Sequence, residues 1–134
     1  MKVADIMHTP VQTVTEDTPV SEVMVSLADA RITGLPVVDH HQRVIGVISS
    51  TDLIGAQAET RNAEERQILL EETPVRDLMT PQPLMIDAAA DLHEAARTML
   101  YADVRRLFVE DDGALVGVIS HTDIVRAVAT GKLA

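Results

Sequence analysis

Two short runs place hydroxyls and a carboxylate at the same spacing: Ser49-Ser50-Thr51-Asp52 and Ser120-His121-Thr122-Asp123. Each follows an apolar stretch, Gly46-Val47-Ile48 or Gly117-Val118-Ile119, that reads as a strand running into a helix. A helix start offers unpaired backbone N–H groups and the positive end of the dipole, which suits a phosphate. Hydroxyls there donate to phosphate oxygens, and an Asp in the first turn can accept both hydrogen bonds of a ribose diol. The same residue types also cap helices, worth ~1 kcal/mol, and on residue type alone capping is the better reading.

Other constellations carry less chemistry. Ser120-His121-Thr122-Asp123 holds the letters of a catalytic triad, but a triad is a spatial arrangement and consecutive residues rarely converge. His40-His41 lies in an expected turn with no convincing third ligand, so a solvated turn is the reading. The acidic run Glu110-Asp111-Asp112 is likewise read as solvated, and no metal site is expected. There is no G-x-x-x-x-G-K-[ST], H-E-x-x-H, G-x-S-x-G or G-x-G-x-x-G motif. With no Cys, thiolate catalysis, disulfides and cysteine metal sites are all excluded. The expectation is a protein that is not an enzyme.

Composition narrows the partners. The 134 residues carry 11 Lys plus Arg against 21 Asp plus Glu, a formal charge of −10. Residues 1–60 hold 3 basic and 8 acidic side chains and the rest hold 8 and 13, so neither part is a basic lobe. Such a field disfavours nucleic acid and anionic membranes as partners. One Phe, one Tyr and no Trp leave little surface for stacking bases, and the core must be aliphatic. No apolar run approaches the ~18 residues of a membrane span, and the start lacks a signal-peptide pattern. A soluble cytoplasmic protein is expected.

The elements that position the two runs are themselves duplicated. Val3-Ala4-Asp5-Ile6-Met7 returns as Val75-Arg76-Asp77-Leu78-Met79, an offset of 72, and Gly46–Leu53 returns as Gly117–Ile124, an offset of 71. Glu22, Leu35, Val37 and Asp39 match Glu94, Leu107, Val109 and Asp111, so the one-residue slip falls in a turn. Each copy reads as β-α-β-β-α, an α+β fold. In the first, Thr13–Thr15 is a short strand, and Thr18-Pro19 supplies an N-cap and a first-turn proline. Val20, Val23, Met24, Leu27 and Ala28 then form a buried helical stripe. Leu35–Asp39 and Val44–Ser49 are strands joined at 39–43, and Ser50 and Thr51 cap the next helix. In the second, Asp91 caps a helix whose stripe is Leu92, Ala95, Ala96, Met99 and Leu100. Strands at Leu107–Glu110 and Leu115–Ser120 flank the turn Asp111-Asp112-Gly113, and Gly131 is a C′ residue.

The resulting division is a first repeat at 1–58, a helical connector at 59–73 stopped by Thr73-Pro74, and a second repeat at 74–134. One repeat alone buries too little surface for independent stability. The apolar strand Val44–Ile48 wants both faces covered, so the repeats are expected to pack together with pseudo-two-fold symmetry.

The ordered set resembles a tandem pair of cystathionine-β-synthase (CBS) domains, a Bateman module. The resemblance rests on Asp5-Ile6-Met7 with Pro10, Leu35-Pro36-Val37-Val38-Asp39, and Gly46-Val47-Ile48-Ser49 with Thr51-Asp52. The second set is Asp77-Leu78-Met79, Leu107-Phe108-Val109, and Gly117-Val118-Ile119-Ser120 with Thr122-Asp123. It implies a regulatory module without a cofactor, binding AMP, ADP, ATP or S-adenosylmethionine in clefts between the copies, with AMP or ATP foremost. It further implies a homodimer and an attached or separate enzyme or transporter as the regulated partner.

The family's roles carry over to Asp52 with Ser49 and to Asp123 with Ser120, as ribose and phosphate contacts, with Thr51 and Thr122 beside them. Arg31 stands where the family often places a phosphate-reaching base. Its counterpart is Asp103, which repels phosphate, leaving Arg105 or Arg106 to substitute; Phe108 replaces Pro36 as a second departure. The two sites are therefore expected to differ. An apolar base pocket would be lined by Thr13, Val14 and Leu35, or by Met85, Ile86 and Leu107, each equally readable as core. The competing reading is a structural dimerisation module with degenerate pockets.

Overall fold

The structure is a computed structural model and describes residues 1–81 and 83–131. The first repeat unfolds along the chain as β1 (Val14–Thr15), α1 (Val20–Ala30), β2 (Gly34–Val38), β3 (Val44–Ser49) and α2 (Ser50–Ala58). The connector forms α3 (Ala63–Glu72) and is followed by β4 (Thr80–Pro81). The second repeat is β5 (Met85–Asp87), α4 (Leu92–Ala102), β6 (Arg106–Asp111), β7 (Ala114–Ser120) and α5 (His121–Ala129). The α+β assignment and the doubled β-α-β-β-α order are as read from the sequence.

In space the chain divides into two compact units whose boundaries differ from those of the repeats. One is Gln12–Pro83; the other joins Met1–Val11 to Leu84–Ala134. The leading segment of each repeat packs with the other one. Val3 N–H donates to Ala90 O at 2.8 Å and Ala4 N–H to Ala88 O at 2.9 Å, while Val75 N–H donates to Thr18 O and Arg76 N–H to Glu16 O. Val3 and Val75 are fully buried in the cores they join.

The Gln12–Pro83 unit has a four-stranded sheet ordered β1-β2-β3-β4. β1 pairs parallel to β2 through Val14–Val37, and β2 and β3 form an antiparallel hairpin. Asp39 closes that hairpin: its carboxylate accepts from the N–H groups of His41 and Arg43, and chiefly the latter holds it below the usual carboxylate range. The split unit repeats the pattern with β5-β6-β7, and Met85 and Ile86 take the places of Thr13 and Val14. Its hairpin turns on Asp112 and Gly113, both at positive φ, the signature of a tight two-residue turn. The residue alternation that aims Leu35, Val37 and Ile48 at one core aims Leu107, Val109 and Ile119 at the other.

Four local expectations are corrected. Pro19, not Thr18, is the N-cap of α1, because Val20 N–H bonds Thr73 O and Thr18 O accepts from Val75. Ser49, not Ser50 or Thr51, caps α2, since its hydroxyl accepts from Asp52 N–H three residues on. Ala28 is exposed and Leu100 is 78% exposed, so the stripes of α1 and α4 narrow to Val20, Val23, Met24, Leu27 and Leu92, Ala95, Ala96, Met99, with Met24 and Ala96 half-buried against the cores. Asp91 caps α4 and Gly131 follows the C-cap of α5 at φ 74°, as expected. The connector is more than a spacer: α3, capped by Asn62, buries Leu69 in the core beneath α1.

Candidate functional site

Each hydroxyl-carboxylate run sits where the last strand of its repeat turns directly into a helix. In the Gln12–Pro83 unit β3 ends at Ser49 and α2 begins at Ser50, whose N–H is tied to Thr33 O at 2.8 Å. Ser49 and Asp52 form a capping box. Asp52 Oδ2 accepts from Ser49 N–H and from Ser49 Oγ, both at 2.9 Å. Among the described residues, Asp52 Oδ1 accepts no hydrogen bond. Asp52 is half-buried and Thr51 is exposed on the same turn, so both can be reached from solvent.

The split unit builds the same box from Ser120 and Asp123, with Oδ2 accepting from Ser120 N–H at 2.8 Å. Its surroundings differ. The His8 backbone pairs with Val118 in both directions, at 2.8 and 3.1 Å, which carries the His8 ring over the start of α5. There His8 Nε2 meets Asp123 Oδ1 at 2.6 Å, and Arg126 Nη1 lies 3.7 Å from the same oxygen. Asp123 is only 5% exposed. Burial pushes its carboxyl up, but the Ser120 N–H, His8 and the Ser120 hydroxyl outweigh this and hold it below its ordinary value.

The remaining candidates divide by burial. Arg31 is exposed at the C-cap of α1 with φ 55°, and Asp103 occupies the matching left-handed position after α4. Arg106 is half-buried and lies directly across the ladder from Ser120, where the first repeat pairs Gly34 with Ser49. The ladder thus places Arg106 beside the start of α5 from a strand, not from a helix end. Thr13 and Met85 are half-buried and keep accessible surface. Val14, Leu35, Ile86 and Leu107 belong to the two cores, with Leu35 1% and Leu107 0% exposed. The side chains of those four pack within the cores.

Ser120, His121 and Asp123 do not form a relay. His121 Nδ1 faces Thr122 Oγ1 at 3.3 Å, while Asp123 turns to His8. The turn histidines gain something the sequence did not reveal. His40 Nε2 lies 3.7 Å from Glu16 Oε1 and 4.0 Å from Asp17 Oδ2, so β1 and the hairpin assemble three potential metal-ligand atoms within 4.8 Å. The group is largely exposed, and Asp17 is already ion-paired to Arg76.

Family comparison fits this geometry. The family model described as "CBS domain" matches twice, over residues 3–59 and 75–130. The chain belongs to the CBS-domain family. Two Arabidopsis thaliana proteins, the chloroplastic CBS domain-containing proteins CBSX1 and CBSX2, are each 35% identical over 131 residues. The match takes in 82% of this chain but only 56% and 55% of theirs, so the CBS chain spans little more than half the length of these curated relatives. The crystal structure of CBSX2 in complex with AMP superposes with a TM-score of 0.80 at 35% identity, covering 98% of both chains. The CBS domain of a membrane protein from Sphaerobacter thermophilus, 21% identical with a TM-score of 0.76 over 93% of this chain and 86% of that one, shares the fold. No helix among the described residues of this CBS protein is long and apolar enough to cross a membrane.

Proposed function

We propose that this CBS chain is a regulatory, non-catalytic module that binds an adenosine-containing nucleotide, with AMP or ATP ahead of S-adenosylmethionine. The observation that carries the reading is Asp52. Its carboxylate is fixed by Ser49 at the start of α2, keeps Oδ1 free among the described residues, and stands beside the exposed Thr51 hydroxyl. Such a group can accept from a ribose diol while the first-turn N–H groups and hydroxyls donate to phosphate. Ser49, Thr51, Asp52, Arg31 and Thr13 form the proposed site of the first repeat. Ser120, Thr122, Asp123 and Met85 occupy the equivalent positions of the second repeat, with Arg106 in place of Arg31, and there the Asp123 carboxylate is already engaged. Support also comes from CBSX2, which holds AMP on the same fold at 35% identity.

The module acts by linkage. A nucleotide that binds one conformation more tightly draws the population toward it, and a regulated enzyme or transporter reads the change. We assign it to the cytoplasm and to a homodimer. The dimer reading draws on two matching apolar grooves. One lies between α1 and α2, along Met24, Ile32 and Ile54; the other lies between α4 and α5, along Ala96, Leu100 and Val125. Light scattering across a concentration series tests the dimer, and a uniform monomer refutes it.

The decisive test of nucleotide binding is thermal unfolding with AMP, ATP and S-adenosylmethionine, with and without Mg²⁺. A ligand at 100 times its Kd stabilises the fold by ~2.7 kcal/mol. A shift abolished by Asp52→Ala supports the sensor. No shift with any of them, in folded protein free of co-purified nucleotide, favours a structural dimerisation module, for which the engaged Asp123 carboxylate is the observation in hand.

A further inference from the structure

We propose that His8 closes the second acceptor carboxylate, so that each chain holds one nucleotide, at Asp52, and the Asp123 half-site stands silent. The inference rests on the nucleotide-binding reading and concerns which copy of the motif is used.

The repeat offsets identify what surrounds each Asp. His8 corresponds to Thr80, at offset 72, and Arg126 corresponds to Gly55, at offset 71. The backbone of Thr80 pairs with Val47 as that of His8 pairs with Val118, so the two positions are structurally equivalent. Only the side chains differ. Thr80 carries no charge and makes no hydrogen bond to Asp52 among the described residues, and Gly55 offers no side chain. His8 instead occupies Asp123 Oδ1 at 2.6 Å, Arg126 adds its charge at 3.7 Å, and Ser120 holds Oδ2.

A carboxylate has about four lone-pair sites, but a buried one offers only the directions its surroundings leave open. Asp123, 5% exposed with both oxygens engaged, leaves a ribose diol no acceptor unless His8 first departs. Departure strands a buried carboxylate, so the ligand must supply that cost before binding. Asp52 imposes no such requirement. The inequality of the two copies is thus written mainly at residue 8, on the leading segment of the first repeat, which packs on the second.

Calorimetric titration of the full chain with AMP tests this. The wild type is expected to take up one AMP per chain, Asp52→Ala none, and Asp123→Ala still one. His8→Thr, which installs the residue found at position 80, is expected to raise uptake to two. His8→Gln retains a side-chain donor for Asp123 Oδ1 and is expected to stay at one. Two AMP per wild-type chain, or loss of binding in Asp123→Ala with Asp52→Ala unaffected, overturns the proposal while leaving the nucleotide reading intact. Absence of AMP, ATP and S-adenosylmethionine binding in both wild type and folded His8→Thr overturns the reading on which it rests. Should His8→Thr not fold, the Asp52→Ala and Asp123→Ala pair still decides which carboxylate is used.

Discussion

Met7 lies so close over Gly117 that a Cβ placed on the glycine would come within 2.6 Å of the Met7 sulfur. Met79 stands in the same relation to Gly46, at 2.5 Å. The two motifs that occur twice in the sequence are therefore contact partners. The methionine of each leading segment seals the glycine of the other repeat's last strand.

This contact gives a graded expectation for alanine. At Gly117 the clash is chiefly with Met7, a flexible side chain, with His8 O at 3.1 Å; at Gly46 it includes Thr80 O at 2.9 Å, which is backbone. Gly117→Ala is expected to cost about 1–3 kcal/mol, as overpacking does, and Gly46→Ala more. Pairing Gly117→Ala with Met7→Ala should relieve most of the clash, whereas Met79→Ala should rescue Gly46→Ala little. Urea denaturation of the four variants and the parent single mutants checks this; equal rescue at both sites would show the backbone contact to be irrelevant.

The crossing of segments also bears on which fragment folds. The first core, from Val14 to Val75, lies wholly within Gln12–Pro83, whereas a fragment of residues 1–58 lacks Leu69, Val75 and β4. Losing a fully buried valine and a paired edge leaves a cavity and an open strand. Residues 12–83 alone are expected to melt cooperatively by circular dichroism and residues 1–58 not to. Cooperative unfolding of 1–58 with none in 12–83 would reverse the assignment of the unit.

Acid should weaken the His8–Asp123 pair in a defined window. Because the Asp123 pKa is lowered on folding, its contribution is fully present above the ordinary carboxylate value of about 3.8 and is lost as pH falls through the lower folded value. Asp123→Asn is expected to cost about 1–3 kcal/mol at pH 6 and progressively less below pH ~4. Asp39 and Glu65 are also lowered, but both proteins retain them, so their effect cancels in the difference. Denaturation midpoints from pH 6 to 2.5 provide the test; a gap unchanged at the acid end would exclude a titrating Asp123.

Much of the fold is legible because it follows from local rules. The strands declare themselves by unbroken apolar runs, Asp91 and Gly131 by end-of-helix chemistry, and the doubling by the recurrence of Gly-Val-Ile-Ser. The crossing is invisible for a physical reason: Met7 would suit Gly46 as well as Gly117, since both repeats present the same motif. Pairwise complementarity cannot choose between two equivalent partners. The Ser49 cap is not legible because Ser49, Ser50 and Thr51 are all capable caps, and only the path of the strand selects among them. The pocket candidates Val14, Leu35, Ile86 and Leu107 failed to separate from core because apolar strand residues read alike in either role. His8 gave no signal at all. Its importance depends on Asp123, 115 residues away, and on a backbone bridge to Val118 that no spacing announces.

Arg31 separates stability from binding. It is an L-residue held at φ 55° and ψ 42° at the end of α1, with an exposed side chain. A non-glycine residue in this region costs roughly 1–2 kcal/mol, which glycine avoids. The charge brings no compensating ion pair among the described residues, although a cation at a helix C-terminus gains ~0.3–1 kcal/mol from the dipole. Arg31→Gly is therefore expected to leave the melting temperature unchanged or slightly raised. If the guanidinium reaches a nucleotide phosphate, the same variant should weaken AMP binding about tenfold, the loss of one charge-assisted hydrogen bond at ~1.5 kcal/mol. Asp103→Gly, at the matching cap, should relieve the same strain with no loss of affinity. Melting curves and AMP titrations on the two variants measure both quantities, and equal affinity in Arg31→Gly and wild type would remove Arg31 from the site.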